Sequence, residues 1–112
     1  MDKITQYRNF IIKVIESHAD FRPKGYEEFE NQVVTDDQHG HYYLMRLGWK
    51  GPDRKHSCLI HIDLKGDVVW IQEDWTEVGV ANELVSMGVK KSDIVLAFYA
   101  PSRRKDTAFA VS

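Results

Sequence analysis

The feature that most constrains this chain is the dipeptide Gly66-Asp67, set between two runs in which every second residue is apolar. A glycine followed by aspartate between alternating runs is a strong signal for a two-residue hairpin loop. Taking it as the loop pairs Lys65 with Val68, Leu64 with Val69, Asp63 with Trp70 and His61 with Gln72. Side chains alternate across a strand, so Ile60, Ile62, Leu64, Val69 and Ile71 then share one face. A sheet with such a face must bury it under other elements.

Two segments have the periodicity to supply that cover. Ile4, Tyr7, Ile11, Val14, Ile15 and His18 recur at three- and four-residue spacing, which predicts an amphipathic helix from about residue 3 to 18. Asp2 is placed to cap it, and Pro23 and Gly25 stop it. A second helix is expected near Val78 to Met87, with Asp74 or Thr76 as its cap and Gly88 as its stop.

The remaining chain reads as strands. A first is expected over 27–35, followed by the turn cluster Asp36 to Gly40. A second, over 41–49, puts Tyr43, Met45, Leu47 and Trp49 on one face and Tyr42, Leu44 and Arg46 on the other. After a turn at Gly51-Pro52-Asp53, a third runs from about 55 to 64, with Cys58 in line with Ile60, Ile62 and Leu64. The apolar run from Ile94 to Tyr99 reads as a last buried strand ended by Pro101, and Phe109-Ala110-Val111 is expected to dock. The expected fold class is α+β: an N-terminal helix, a four-stranded antiparallel meander, a second helix and a final strand, with both helices on one face of the sheet. Residues 1–112 are read as one domain, a length that suits a single core.

The outward face is then expected to carry Tyr42, Leu44, Leu59, Val68 and Trp70, mixed with Arg46, His61, Asp63 and Gln72. Such a mixture of large apolar groups and scattered charge is typical of an interface. Tyr42, Leu44, Arg46, Leu59, His61 and Trp70 are therefore the candidate residues for contact with a partner or a second copy. The plainer alternative is that the C-terminal segment folds over this face.

Charge argues against a strong nucleic-acid binder. There are 15 Lys and Arg against 17 Asp and Glu, a net charge of −2, whereas affinity for DNA rests on neutralising phosphates. Two local basic clusters remain: Lys50 with Arg54, Lys55 and His56, and Arg103-Arg104-Lys105. Direct binding needs both on one side. The one cysteine, Cys58, forbids an internal disulfide and fits a reducing compartment. With no signal-peptide core and no apolar run of membrane-spanning length, a cytoplasmic location away from membranes is expected.

The chemistry-bearing residues form no known catalytic signature. His61 and Asp63 point the same way on a strand, and with Glu73, Asp74 and Glu77 nearby they suggest an acid–base site. No nucleophile motif accompanies them, so cross-strand polar pairing and helix capping are preferred. His39 and His41 beside Asp36 and Asp37 carry metal-ligating atoms, but the spacing matches no metal signature and reads as a polar turn. No catalytic residue, metal or cofactor is expected.

Beyond composition and spacing stands a series of segments: Leu47-Gly48-Trp49; His61-Ile62-Asp63 followed by Trp70-Ile71-Gln72; Thr76-Glu77 with Ala81-Asn82-Glu83-Leu84-Val85; Asp93 to Phe98; and Phe109-Ala110-Val111. In that order and spacing the chain resembles the XisI-like family, the fdxN element excision controlling factors of cyanobacteria, over essentially its whole length. The resemblance implies a role in controlling site-specific excision of a DNA element during heterocyst differentiation, with the recombinase a separate protein. It also implies an XisH-like companion, a protein with a nuclease-like fold. It supplies no catalytic residues. Trp75, Ala100-Pro101 and Asp106 depart from the family pattern, and Trp75 is expected to alter the surface near the second helix. The leading expectation is a non-enzymatic regulatory protein, homodimeric, acting through contact with the companion, any nucleic acid being reached indirectly. The alternatives are a directly DNA-binding directionality factor, and a subunit of a nuclease-type enzyme centred on His61, Asp63 and Asp74.

Overall fold

The computed structural model describes residues 2–112. Helix α1 spans Lys3–Ala19; strands β1 (Glu30–Asp36), β2 (His41–Lys50), β3 (Asp53–Lys65) and β4 (Val68–Asp74) follow, then helix α2 (Val80–Met87) and strand β5 (Ile94–Leu96). The five strands form one sheet in sequence order. The first four pair antiparallel, and β5 pairs parallel with β4. Parallel neighbours need a crossover, which α2 provides.

Both helices pack on one face of the sheet, as expected. Tyr7, Ile11, Val14 and Ile15 of α1 and Val80, Ala81 and Leu84 of α2 enclose Ile60, Ile62, Val69 and Ile71. The Asp2 carboxylate accepts the Thr5 amide at 2.7 Å, the capping bond anticipated for α1. Asp74 and Thr76 share the start of α2: Asp74 Oδ2 accepts the Val80 amide at 2.8 Å, and Thr76 Oγ1 accepts that of Gly79. Helix α2 begins at Val80 rather than Val78 because Gly79 adopts φ 88°, outside the helical region.

Strand bounds shift with local turns. Residues 27–29 belong to a turn in which the Phe29 amide donates to the Tyr26 carbonyl, so β1 begins at Glu30. Strand β5 stops at Leu96, where the Tyr99 amide turns back onto the Leu96 carbonyl, and Phe98 and Tyr99 are exposed. The C-terminal docking is present as a bridge between Val95 and Ala110, with Phe109 against the core.

Two irregularities decide which side chains face which way. From the β2–β3 turn, Lys50 pairs with Asp53 and Met45 with Cys58, but Leu44 then pairs with Ile60, leaving Leu59 as an extra residue. From the β3–β4 turn, Lys65 pairs with Val68 and Ile62 with Ile71, but His61 pairs with Glu73 rather than Gln72. These are β-bulges, in which two residues of one strand oppose one of the other. The first brings Tyr42 opposite Ile62, so Tyr42 and Leu44 join the core at 0% and 1% exposure. It also turns Leu59 against the core and moves Cys58 to the Met45 side, away from Ile60 and Ile62. The outward placement expected for Tyr42, Leu44 and Leu59 is thereby corrected.

Candidate functional site

The outer face of the sheet, opposite the helices, holds a polar cluster. Its first member is set by register, since His41 opens β2 directly across from Asp63. The His41 Nδ1 lies 2.8 Å from Asp63 Oδ1, and His61 Nε2 lies 2.9 Å from the same oxygen. Asp63 Oδ2 accepts a hydrogen bond from Gln72 Nε2 at 3.3 Å, Gln72 sharing the outer face with Trp70 two residues before it. The Tyr43 ring stacks on His61 with centroids 4.2 Å apart. Asp63 is 7% exposed, and among the described residues it is the one charged residue buried to that degree. Burial pushes its carboxyl up, but the hydrogen bonds from His41 and His61 outweigh this and hold it below the ordinary carboxylate range.

The acid–base grouping read from the sequence is not assembled. The bulge at Gln72 sends Asp74 to the helix side, where its oxygens accept the Thr76 amide and hydroxyl and the Val80 amide. Asp74 is thus a capping residue on the face opposite His61 and Asp63. Glu73 points outward and accepts from Trp75 Nε1. Burial, with Glu73 adding to it, raises the Cys58 thiol above its usual value, which keeps it protonated and poorly nucleophilic.

Of the expected interface residues, His61 and Trp70 face outward. Trp70 is half-buried beneath Lys65, whose Nζ is 4.6 Å from the ring centroid, and Arg104 at 5.6 Å. Arg104 is itself tied to the Tyr99 and Ala97 carbonyls, so the C-terminal segment does fold over this part of the face. Arg46 reaches the other way, donating to Asn31 Oδ1 and the Phe21 carbonyl beyond the end of α1.

The basic clusters stay apart. Lys50 lies over Tyr26 and Arg54 over Trp49, with Lys55 beside them in a two-stranded arm. Strand β4 ends opposite Ile60, so that arm projects past it by roughly 20 Å at about 3.3 Å per residue. Arg103 and Lys105 flank Arg104 in the turn 101–106 beside Trp70. Arm and tail thus lie toward opposite ends of β3.

A concavity lies on the helix side. A cleft of about 560 Å³ opens between the end of α1 and the β4–α2 connection, floored by Leu44, Leu59 and Ile60. Its rim carries Phe21, Trp75 and Val78, exposed by 61%, 75% and 63%. Trp75 and Phe21 were not singled out as contact residues from the sequence. The legible signal was Trp75 itself, a large aromatic where the pattern calls for a small or polar residue.

Comparison with known families gives a match to the family described as XisI protein over residues 1–111. The chain belongs to the XisI family. Two solved structures share its fold. One is an XisI-like protein from Anabaena variabilis ATCC 29413, with 34% identity, a TM-score of 0.86, and 97% of this chain and 99% of that one covered. The other, from the same organism, is fdxN element excision controlling factor XisI, with 29% identity, a TM-score of 0.85, and 99% and 100% covered. A comparison with curated protein sequences gives no match. Among the described residues, no helix of this XisI-family chain is long and apolar enough to cross a membrane.

Proposed function

We infer that this XisI-family chain is a non-enzymatic regulatory protein that controls site-specific excision of a DNA element, and that it acts by binding another protein. The observation that carries this reading is the end-to-end likeness to the excision controlling factor. The proposed partner is an XisH-like companion, met by a homodimer of this chain. The contact surface is the cleft rimmed by Phe21, Trp75 and Val78, because solvent-exposed aromatic and aliphatic groups around an apolar floor gain most from being covered. This moves the interface from the outer sheet face to the helix side. Four of the six residues first favoured lie on the helix side, and Trp70 is already covered.

The test is light scattering on the eluting protein, alone and mixed with the companion. A dimer that forms a stable complex is expected, and Trp75→Ala should weaken that complex by at least tenfold, as central interface aromatics do. A monomer that ignores the companion overturns the reading. A complex indifferent to Trp75→Ala and Phe21→Ala overturns the choice of surface.

A further inference from the structure

The geometry points to a transition-metal site formed by His41, His61 and Asp63 on the outer face of the sheet. Their donor atoms, one from each residue, lie within 4.8 Å of one another. Two of the separations, 2.8 Å and 2.9 Å, need to open only slightly to reach the spacing of two ligands on one ion, about 3.0 to 3.4 Å for bond lengths near 2.1 Å.

The surroundings have what a metal site requires. The second oxygen of Asp63 is held by Gln72, an outer hydrogen bond of the kind that orients a ligating carboxylate. The Tyr43 ring fixes the plane of His61. Both histidines sit on adjacent strands, His41 paired with Asp63 and His61 with Tyr43, so the donors are set by the ladder rather than a loop. The His41 side chain is 42% exposed, which gives an ion a path from solvent.

The ligand set selects the ion. Two imidazoles and one carboxylate suit Zn²⁺, Fe²⁺, Co²⁺ or Ni²⁺, whereas Mg²⁺ and Ca²⁺ prefer all-oxygen sites. Three protein ligands leave at least one position for water or a further donor. Binding needs no net loss of a proton from neutral imidazoles. The hydrogens that His41 Nδ1 and His61 Nε2 give to Asp63 move, through exchange with water, to His41 Nε2 and His61 Nδ1. The freed lone pairs and Asp63 Oδ1 then form three bonds to the ion in place of two hydrogen bonds.

The test is calorimetric titration of the full chain with ZnCl₂, joined to the visible spectrum on adding CoCl₂. One ion per chain is expected, with a cobalt ligand-field band, and no heat with MgCl₂. His41→Ala should weaken zinc binding by at least tenfold, and His61→Ala likewise. His39→Ala should leave it unchanged, although His39 with Asp36 forms a nearby surface pair that an adventitious ion would use. His41 is at the open end of the cluster and its loss spares the core, so His41→Ala decides even where His61→Ala fails to fold. Absence of stoichiometric zinc binding, or zinc binding that survives His41→Ala, overturns the site.

Discussion

Gly40 joins the Asp36–Gly40 turn to β2 and makes the closest backbone approach of any glycine in the described chain. Its φ is +72°, and a Cβ built there would collide with the Leu64 carbonyl oxygen. Its own carbonyl accepts the Leu64 amide at 2.8 Å, so the clash falls on the segment this glycine hydrogen-bonds. Gly66 has nearly the same φ, +63°, with nothing within 4 Å of its added Cβ. Gly66→Ala should therefore meet only the left-handed conformational cost, about 1 kcal/mol. Gly40→Ala meets that cost and must also push β3 away. Losing the Leu64 hydrogen bond costs about 1 kcal/mol, and loosening the adjoining His41–Asp63 end of the ladder about 1 kcal/mol more, a total of about 3 kcal/mol. At about 5 °C per kcal/mol for a chain of this size, the melting temperature should fall by about 15 °C against about 5 °C for Gly66→Ala. Thermal unfolding followed by circular dichroism, with a urea series for the free energies, measures both. Equal losses in the two variants would refute the close approach, because the conformational cost alone would then explain them.

Two further outcomes follow from the packing and the ion pairs. Leu44→Ala should destabilise the fold by about 3 kcal/mol in urea unfolding, the cost of a buried leucine cavity, while Val34→Ala on exposed β1 should change stability by less than about 0.5 kcal/mol; a small effect at Leu44 would return it to the outer face. Asp93 receives the Tyr7 hydroxyl at 2.6 Å and the Lys3 ammonium at 2.8 Å; burial raises its carboxyl, but these bonds prevail and its folded value lies below the ordinary one. Because the folded value is depressed, the stability it contributes is full above the unfolded value of about 4 and is lost as pH falls through the folded value. Asp93→Asn should thus be less stable than the parent at neutral pH, with the gap closing below about pH 4; a gap that stays constant in denaturant midpoints down that range would refute the assignment.

The sequence by itself determined the local elements. The α1 stripe, the Asp2 cap, a cap for α2 from Asp74 or Thr76, and the pairing beside Gly66-Asp67 are all short-range consequences of periodicity and turn chemistry; in the structure both Asp74 and Thr76 take part. What only the tertiary structure decided was the direction of side chains beyond the first bulge. In β2 both alternating sets are large and apolar, so periodicity does not choose between Tyr42 with Leu44 and Tyr43 with Met45. Counting pairs back from the Gly51-Pro52 turn puts Tyr43 opposite Ile60, and the single extra residue Leu59 puts Tyr42 opposite Ile62 instead. A one-residue slip exchanges the two faces, and it leaves no trace in the alternation itself. The same reason separates Asp74 from His61 and hands His41, read as part of a turn, to Asp63 across the ladder. The parallel course of β5 was equally hidden, because it depends on α2 carrying the chain back over the sheet so that Ile94 pairs with Val69, 25 residues earlier in sequence.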